Sequence, residues 1–193
     1  MSYALQCECG KLRGQVSAPE RCARIACYCK DCQAFAHYLG RPGILDANGG
    51  SAIVVAHPQQ VSFDQDRKVL ACISLSDQGM LRWYASCCNT PIGNIARNQK
   101  MAFVGLSDAC LRDPATSLER AFGPIRMRSM TKSATGTVAP SGLRAIAPIA
   151  GFAVALLRAR ITGSYRRTPF FNADGSPVSQ PKVLSPDERR KLP

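Results

Sequence analysis

Three short stretches gather most of the sulfur in this 193-residue chain: Cys7-Glu8-Cys9-Gly10, Cys27-Tyr28-Cys29-Lys30-Asp31-Cys32 and Ser86-Cys87-Cys88-Asn89. Thiolates held this close repel one another, and a soft cation is what holds such groups together. Metal binding is the chemistry these spacings predict. Cys27, Cys29 and Cys32 share one loop and can converge on a single ion. Three protein ligands leave a fourth position on zinc for water or substrate, the pattern of catalytic sites. Cys7 and Cys9 need donors from elsewhere, and Cys87 and Cys88 are the obvious ones. That closure would join residues about eighty apart and stabilise the domain. Two zinc ions are therefore expected. Alternate residues of a regular strand sit ~6.5 Å apart, so the C-x-C pair demands a tight knuckle, which Gly10 permits.

Other side chains are weaker candidates. His37 follows Cys32 by five residues, but a histidine beside Phe35 and Tyr38 on a short helix is more often packed or exposed than a ligand. His57, before Pro58, is weaker still. Asp31 reads as a solvated loop acid, with a role as hydrogen-bond acceptor for the site as the sharper alternative. Cys22, Cys72 and Cys110 have no partner by spacing and read as small buried apolar residues. No phosphate-cradling glycine loop and no serine-centred nucleophile motif is present.

Ten cysteines would suggest disulfides in a secreted chain, but Met1 to Gln6 has neither a basic start nor an apolar run. The expected compartment is the reducing cytosol, where close cysteines are more often metal ligands or redox groups. Lys and Arg number 25 against 13 Asp and Glu, a formal charge of +12. The excess is uneven, with 14 of the 25 basic residues and 5 of the 13 acidic ones in 111–193. Such a region could meet a membrane surface, nucleic acid or a protein, or simply be a solvated face.

The elements that must position these groups read as β over residues 1–110. Strands are expected at Tyr3 to Cys7, Lys11 to Ser17, Ala52 to Ala56, Gln60 to Phe63, Lys68 to Leu75, Met80 to Ala85 and Met101 to Gly105, with Arg21 to Ala26 leading into the three-thiol stretch. A short helix is expected over Asp31 to Leu39, stopped by Gly40-Arg41-Pro42-Gly43. The result is a mainly β fold of several small antiparallel sheets. Residues 111–193 read as a basic C-terminal extension. Within it, Leu111 to Phe122 is a helix or a loop with one turn, and Gly123 to Gly142 is connection. Ala145 to Leu157 carries no charge and, at thirteen residues, is too short for a bilayer that needs ~20. It reads first as a docked helix, with an oligomer contact or a segment lying in a membrane interface as alternatives. Pro169 to Pro193 reads as an extended surface tail.

The blocks Cys7 to Gly14, Cys27 to Cys32 and Arg82 to Pro91 resemble, in order and near-spacing, the glutathione-dependent formaldehyde-activating enzyme family, which includes centromere-protein-V-like members. The resemblance covers roughly residues 5 to 105. It implies a β-tent fold with a structural zinc joining the first C-x-C to the late cysteine pair. It also implies a second zinc on Cys27, Cys29 and Cys32 that handles thiol adducts such as S-(hydroxymethyl)glutathione. The implied activity is that of a carbon–sulfur lyase acting on a small thiol or thiol–aldehyde adduct. The late block departs from the family pattern: Ala85 stands where its first cysteine falls, so Cys87 must serve by adjacency, and Asn89 replaces a glycine. A non-catalytic reading also stands, in which both metals are structural and the basic C-terminal part contacts a membrane surface, nucleic acid or a protein partner.

Overall fold

Alternation of inward apolar and outward polar residues makes the first hairpin. Strand β1 (Ser2–Gln6) buries Tyr3 and Leu5, and β2 (Arg13–Ser17) buries Val16. The two pair antiparallel, and β5 (Val61–Phe63) adds to β2 to complete a three-stranded sheet. The computed structural model of the chain describes residues 1–64, 67–142 and 146–193, with no side-chain description for 146–149.

The larger sheet has eight strands. Its middle is an antiparallel run formed by β3 (Ala23–Cys27), β4 (Ser51–Ala56), β9 (Val104–Ser107), β8 (Thr90–Ile95), β7 (Leu81–Ala85) and β6 (Leu70–Ser74), in that spatial order. Its two outer strands come from the region after residue 111 and pair in parallel: β10 (Ile125–Ser129) on β3, and β11 (Lys182–Val183) on β6. The fold is mainly β, as the strand pattern predicts, but the sheets number two among the described residues and the larger is mixed.

Strand β8 escapes a pattern reading because it holds Pro91 and Gly93. Proline cannot donate to a ladder and is confined to edges and bulges. Pro91 meets that rule: the β7–β8 register shifts between Trp83 and Tyr84, opposite Pro91, and pairing with β9 starts only at Gly93. Gly93 lies so near β9 that a Cβ there would stand 2.9 Å from the Gly105 carbonyl oxygen.

Helix α1 (Lys30–Tyr38) follows β3 directly and packs Ala34 and Phe35, with Leu39 beyond its end, in a small core with Ile73, Leu75 and Leu184. The main core lies around Leu5, Leu12, Val54, Trp83, Ile92 and Leu106. Helix α2 (Leu118–Phe122), shorter than the span from Leu111, is capped by Ser117 and sends Phe122 against Tyr3.

Two expectations for the C-terminal region need correcting. Gly123 to Gly142 is not only connection, since it contains β10, whose exposed Arg126 and Arg128 suit a sheet edge. Pro169 to Pro193 is not a surface tail. Phe170 is fully buried, 5.4 Å from the Trp83 ring and 5.6 Å from Phe63 by ring centroids. Leu184 joins the α1 core, and α4 (Pro186–Arg190) is closed by a capping box of Ser185 and Glu188. The adjacent pair Phe170-Phe171 has no periodicity to mark a strand or helix, so the anchoring was hidden.

Helix α3 (Ile146–Thr162) covers most of the expected apolar segment; Ala145 lies outside the described residues. Among its described side chains it docks along one line, with Phe152 against Phe103 and Ala159 buried, while Val154, Leu157 and Ile161 stay exposed. No helix of the described residues is long and apolar enough to cross a membrane.

Removing a fully buried aromatic ring costs about 3–5 kcal/mol. Phe170→Ala is therefore expected to lower the free energy of denaturant unfolding by that amount, and deleting 169–193 to prevent cooperative folding. A truncated chain unfolding at the wild-type midpoint would contradict the packing described.

Candidate metal centre

The first cluster is built by two tight turns that face one another. The β1–β2 turn carries Cys7 and Cys9 and is closed by Gly10 at φ +74°, the left-handed conformation expected of the knuckle. The β7–β8 turn carries Cys87 and Cys88, and Asn89 takes φ +54° where a glycine would be easiest. Cys7 and Cys9 sulfurs are 3.6 Å apart, and Cys87 stands 3.7 Å from Cys7, 3.3 Å from Cys9 and 3.8 Å from Cys88. All four ligand atoms lie within 4.8 Å of one another. A tetrahedron of sulfurs around an ion at ~2.3 Å has edges of ~3.8 Å, so the set fits a four-coordinate thiolate site. With Asn89 at positive φ, the turn brings both adjacent thiols, Cys87 and Cys88, into the one cluster.

Hydrogen bonds fix the two turns independently of any ion. The Leu12 amide donates to Cys7 Sγ at 3.2 Å, and the Glu8 amide donates to Thr90 Oγ1 at 3.0 Å. Arg41 spans both turns, donating to the Cys88 carbonyl at 2.6 Å and forming an ion pair with Glu8. That guanidinium holds the Glu8 carboxyl below its usual range. Burial raises the Cys88 thiol, but hydrogen bonding with Thr90 and with Cys9 outweighs it and leaves Cys88 pushed down to about 6. Burial, then hydrogen bonds with Cys9, Cys7 and Cys88, push Cys87 up. Cys87 and Cys88 thus hold their protons unequally, and a bound cation would favour the thiolate at both.

The second cluster sits where β3 ends and α1 begins. Cys27 is the last residue of β3, Cys29 is the N-cap of α1 and accepts from the Cys32 amide at 3.3 Å, and Cys32 lies in the first turn. The three sulfurs lie within 4.8 Å of one another. Hydrogen bonds from Cys29 and Cys32, helped by Ser129 of β10, hold Cys27 far below the ordinary thiol range. The same sharing raises Cys29 and Cys32. The amide-rich end of α1 favours negative charge here. Buried Gln33 braces the loop by donating from Nε2 to the carbonyls of Tyr28 and Ser133, both at 2.9 Å.

Arg82 was not singled out from the sequence and is the most informative neighbour. It is 2% exposed, with Nη1 3.9 Å from Cys32 Sγ and 3.1 Å from Asn94 Oδ1, and its guanidinium lies over the Phe35 ring. Its Nη2 is 3.5 Å from Asp31, which also pairs with Arg189 of α4 at 3.5 Å. Asp31 therefore orients arginines and is not a ligand. The available signal was an arginine between Leu81 and Trp83 in a strand buried on both faces. Beside Cys32, a cavity of about 10 Å³ is lined by Ser51, Asn94 and Ser107 together with Phe35 and Ile53. That is room for one water.

Neither histidine joins a cluster. His37 is exposed at the far end of α1, and His57 caps a short turn by accepting from the Gln59 amide. Cys22, Cys72 and Cys110 are buried free thiols apart from both groups, as their spacing implies, and burial pushes Cys22 and Cys72 up to about 12.

These features define a mainly β protein with two separate cysteine clusters, of four and three thiols, that could each hold a metal ion. The chain belongs to the DUF6151 family, a family of unknown function, whose model matches residues 1–181. No curated protein matches it.

An ion at the four-thiol cluster would cross-link residues 80 apart, worth on the order of 4 kcal/mol by loop-closure entropy. Cys9→Ser is therefore expected to release one ion per chain and lower unfolding stability by several kcal/mol. Acidification should release metal as well, because protons compete for the thiolates. Elemental analysis beside thermal unfolding checks both.

Proposed function

We propose that the chain binds two zinc ions, one structural at Cys7, Cys9, Cys87 and Cys88 and one at Cys27, Cys29 and Cys32, and that the second site acts on a thiol adduct. The observation that carries this reading is the contrast between the clusters: four donors at one, and at the other three donors beside a water-sized cavity and a buried arginine. When bound at three thiolates, zinc supplies Lewis acidity that favours a substrate sulfur in its thiolate form. The resemblance of the three cysteine blocks to the glutathione-dependent formaldehyde-activating family supports an adduct such as S-(hydroxymethyl)glutathione. The ten free cysteines suit a reducing compartment such as the cytosol.

The chain's own groups then have definite work. Three thiolates and one divalent ion carry a net charge of −1, and Arg82 provides the balancing positive charge from within hydrogen-bonding distance of Cys32. Asn94 and Asp31 hold that guanidinium in place. In cleavage of a hydroxymethyl thioether, the carbon–sulfur pair goes to sulfur and the hydroxyl proton to solvent, giving a thiolate and an aldehyde. Arg82 lies on the side of the cluster where added negative charge would be stabilised. The reverse direction forms the same bond.

Cys29→Ser is expected to remove one of two zinc ions and to lower kcat/KM for S-(hydroxymethyl)glutathione by at least about a hundredfold, with little loss of unfolding stability. Zinc analysis and a formaldehyde-release assay on the same preparation decide it. A variant that keeps both ions, or a wild-type protein with two ions and no turnover of thiol–aldehyde adducts, would refute the assignment.

A further inference from the structure

Helix α3 presents two unlike sides. Phe152, Leu156 and Ala159 recur at helical spacing and form the docked line, with Phe152 on Phe103 and Ala159 2% exposed. On the opposite side Ala150, Val154, Leu157 and Ile161 form a second line at i, i+4, i+7 and i+11, all exposed, with Val154 at 66%, Leu157 at 60% and Ile161 at 77%. At 100° per residue, Arg158 and Arg160 project about 80° to either side of that line. Both are exposed, and Arg166 and Arg167 continue the positive surface beyond the helix.

We propose that this stripe is a docking surface for an anionic phospholipid membrane, on which α3 lies flat. An apolar line between two arginines is the cross-section of an interfacial helix: the apolar side chains enter the acyl boundary while the arginine stems reach back to the headgroups. Lying flat, the 17-residue helix covers about 26 Å of membrane surface. Charge decides between occupants. The 4-3-4 spacing of the stripe would also make a coiled-coil seam, but α3 contains no acidic residue, and Arg158 and Arg160 flank the seam. Paired in parallel, a second copy would set its Arg158 and Arg160 at the same level of the seam as these two, and in either orientation it would offer them no acidic partner. Anionic headgroups offer the complement that another α3 lacks. Nucleic acid would leave the apolar line in water.

Co-sedimentation of the full-length protein with vesicles tests this. Binding is expected to phosphatidylcholine vesicles containing phosphatidylserine and not to phosphatidylcholine alone, and it should weaken as salt rises. Leu157→Asp and the double variant R158E/R160E should each lower the partition coefficient at least about tenfold. All three positions are exposed, so metal content and unfolding midpoint should match wild type and show that the fold is intact. Absence of binding to the anionic vesicles overturns the proposal. Loss on R158E/R160E with none on Leu157→Asp also overturns it, because bare charge attraction would then explain the binding. A dimer in solution that Leu157→Asp dissolves would assign the stripe to a second copy of the chain instead.

Discussion

Crowding seven cysteine side chains into two small clusters is the constraint to which the rest of the structure answers. Cys7, Cys9, Cys87 and Cys88 reach one another only because two hairpin turns are aimed tip to tip, and each turn needs a residue in the left-handed region, Gly10 in one and Asn89 in the other. The β1–β2 hairpin belongs to the small sheet and the β7–β8 turn to the large one. The four-thiol cluster is therefore the junction of the two sheets. Arg41 reinforces it from outside by binding both tips, so that the junction keeps its geometry through hydrogen bonds that require no ion.

The three-thiol cluster is held differently. Its thiols come from the junction of β3 and α1, and the groups around them come largely from elsewhere: Ser129 from β10, Arg82 from β7 and Asn94 from β8, with Asp31 of α1 tied to α4 by Arg189. Buried arginines are tolerated only where their charge is met. Arg82 meets a carboxylate at 3.5 Å and a sulfur at 3.9 Å, a loose pairing that fits a neighbour able to take on more negative charge. Arg24, by contrast, is paired to Asp108 at 2.8 Å, a close ion pair away from both thiol clusters.

What could be read from the sequence followed chemical type more than pattern. Cysteine spacing alone separated the two clusters correctly, and hydrophobic alternation found most strands of the first hundred residues. Strand β8 was missed because Pro91 and Gly93 argue against a central strand, and only a register shift and a close backbone approach to β9 reconcile them. The burial of Phe170 and Leu184 was missed for another reason. A Phe-Phe pair and a lone leucine among prolines and charges have no period, and their partners Trp83 and Ile73 lie about a hundred residues away. Arg82 was legible in principle, since its neighbours Leu81 and Trp83 mark a doubly buried strand, but a charge in such a strand gains meaning only when the thiols beside it are known.

The parallel pairing of β10 and β11 has an implication for synthesis. A parallel partner cannot arrive through a short turn, and both outer strands of the large sheet lie late in the chain. All seven clustered cysteines have been made by residue 88, whereas the two sheet edges stay uncovered until residues 125–129 and 182–183 follow. On the ribosome, the order of assembly is therefore set by topology. The hairpins that carry Cys7, Cys9, Cys87 and Cys88 can form while β3 and β6 are still bare, and they then stand as the template on which the last strands are laid.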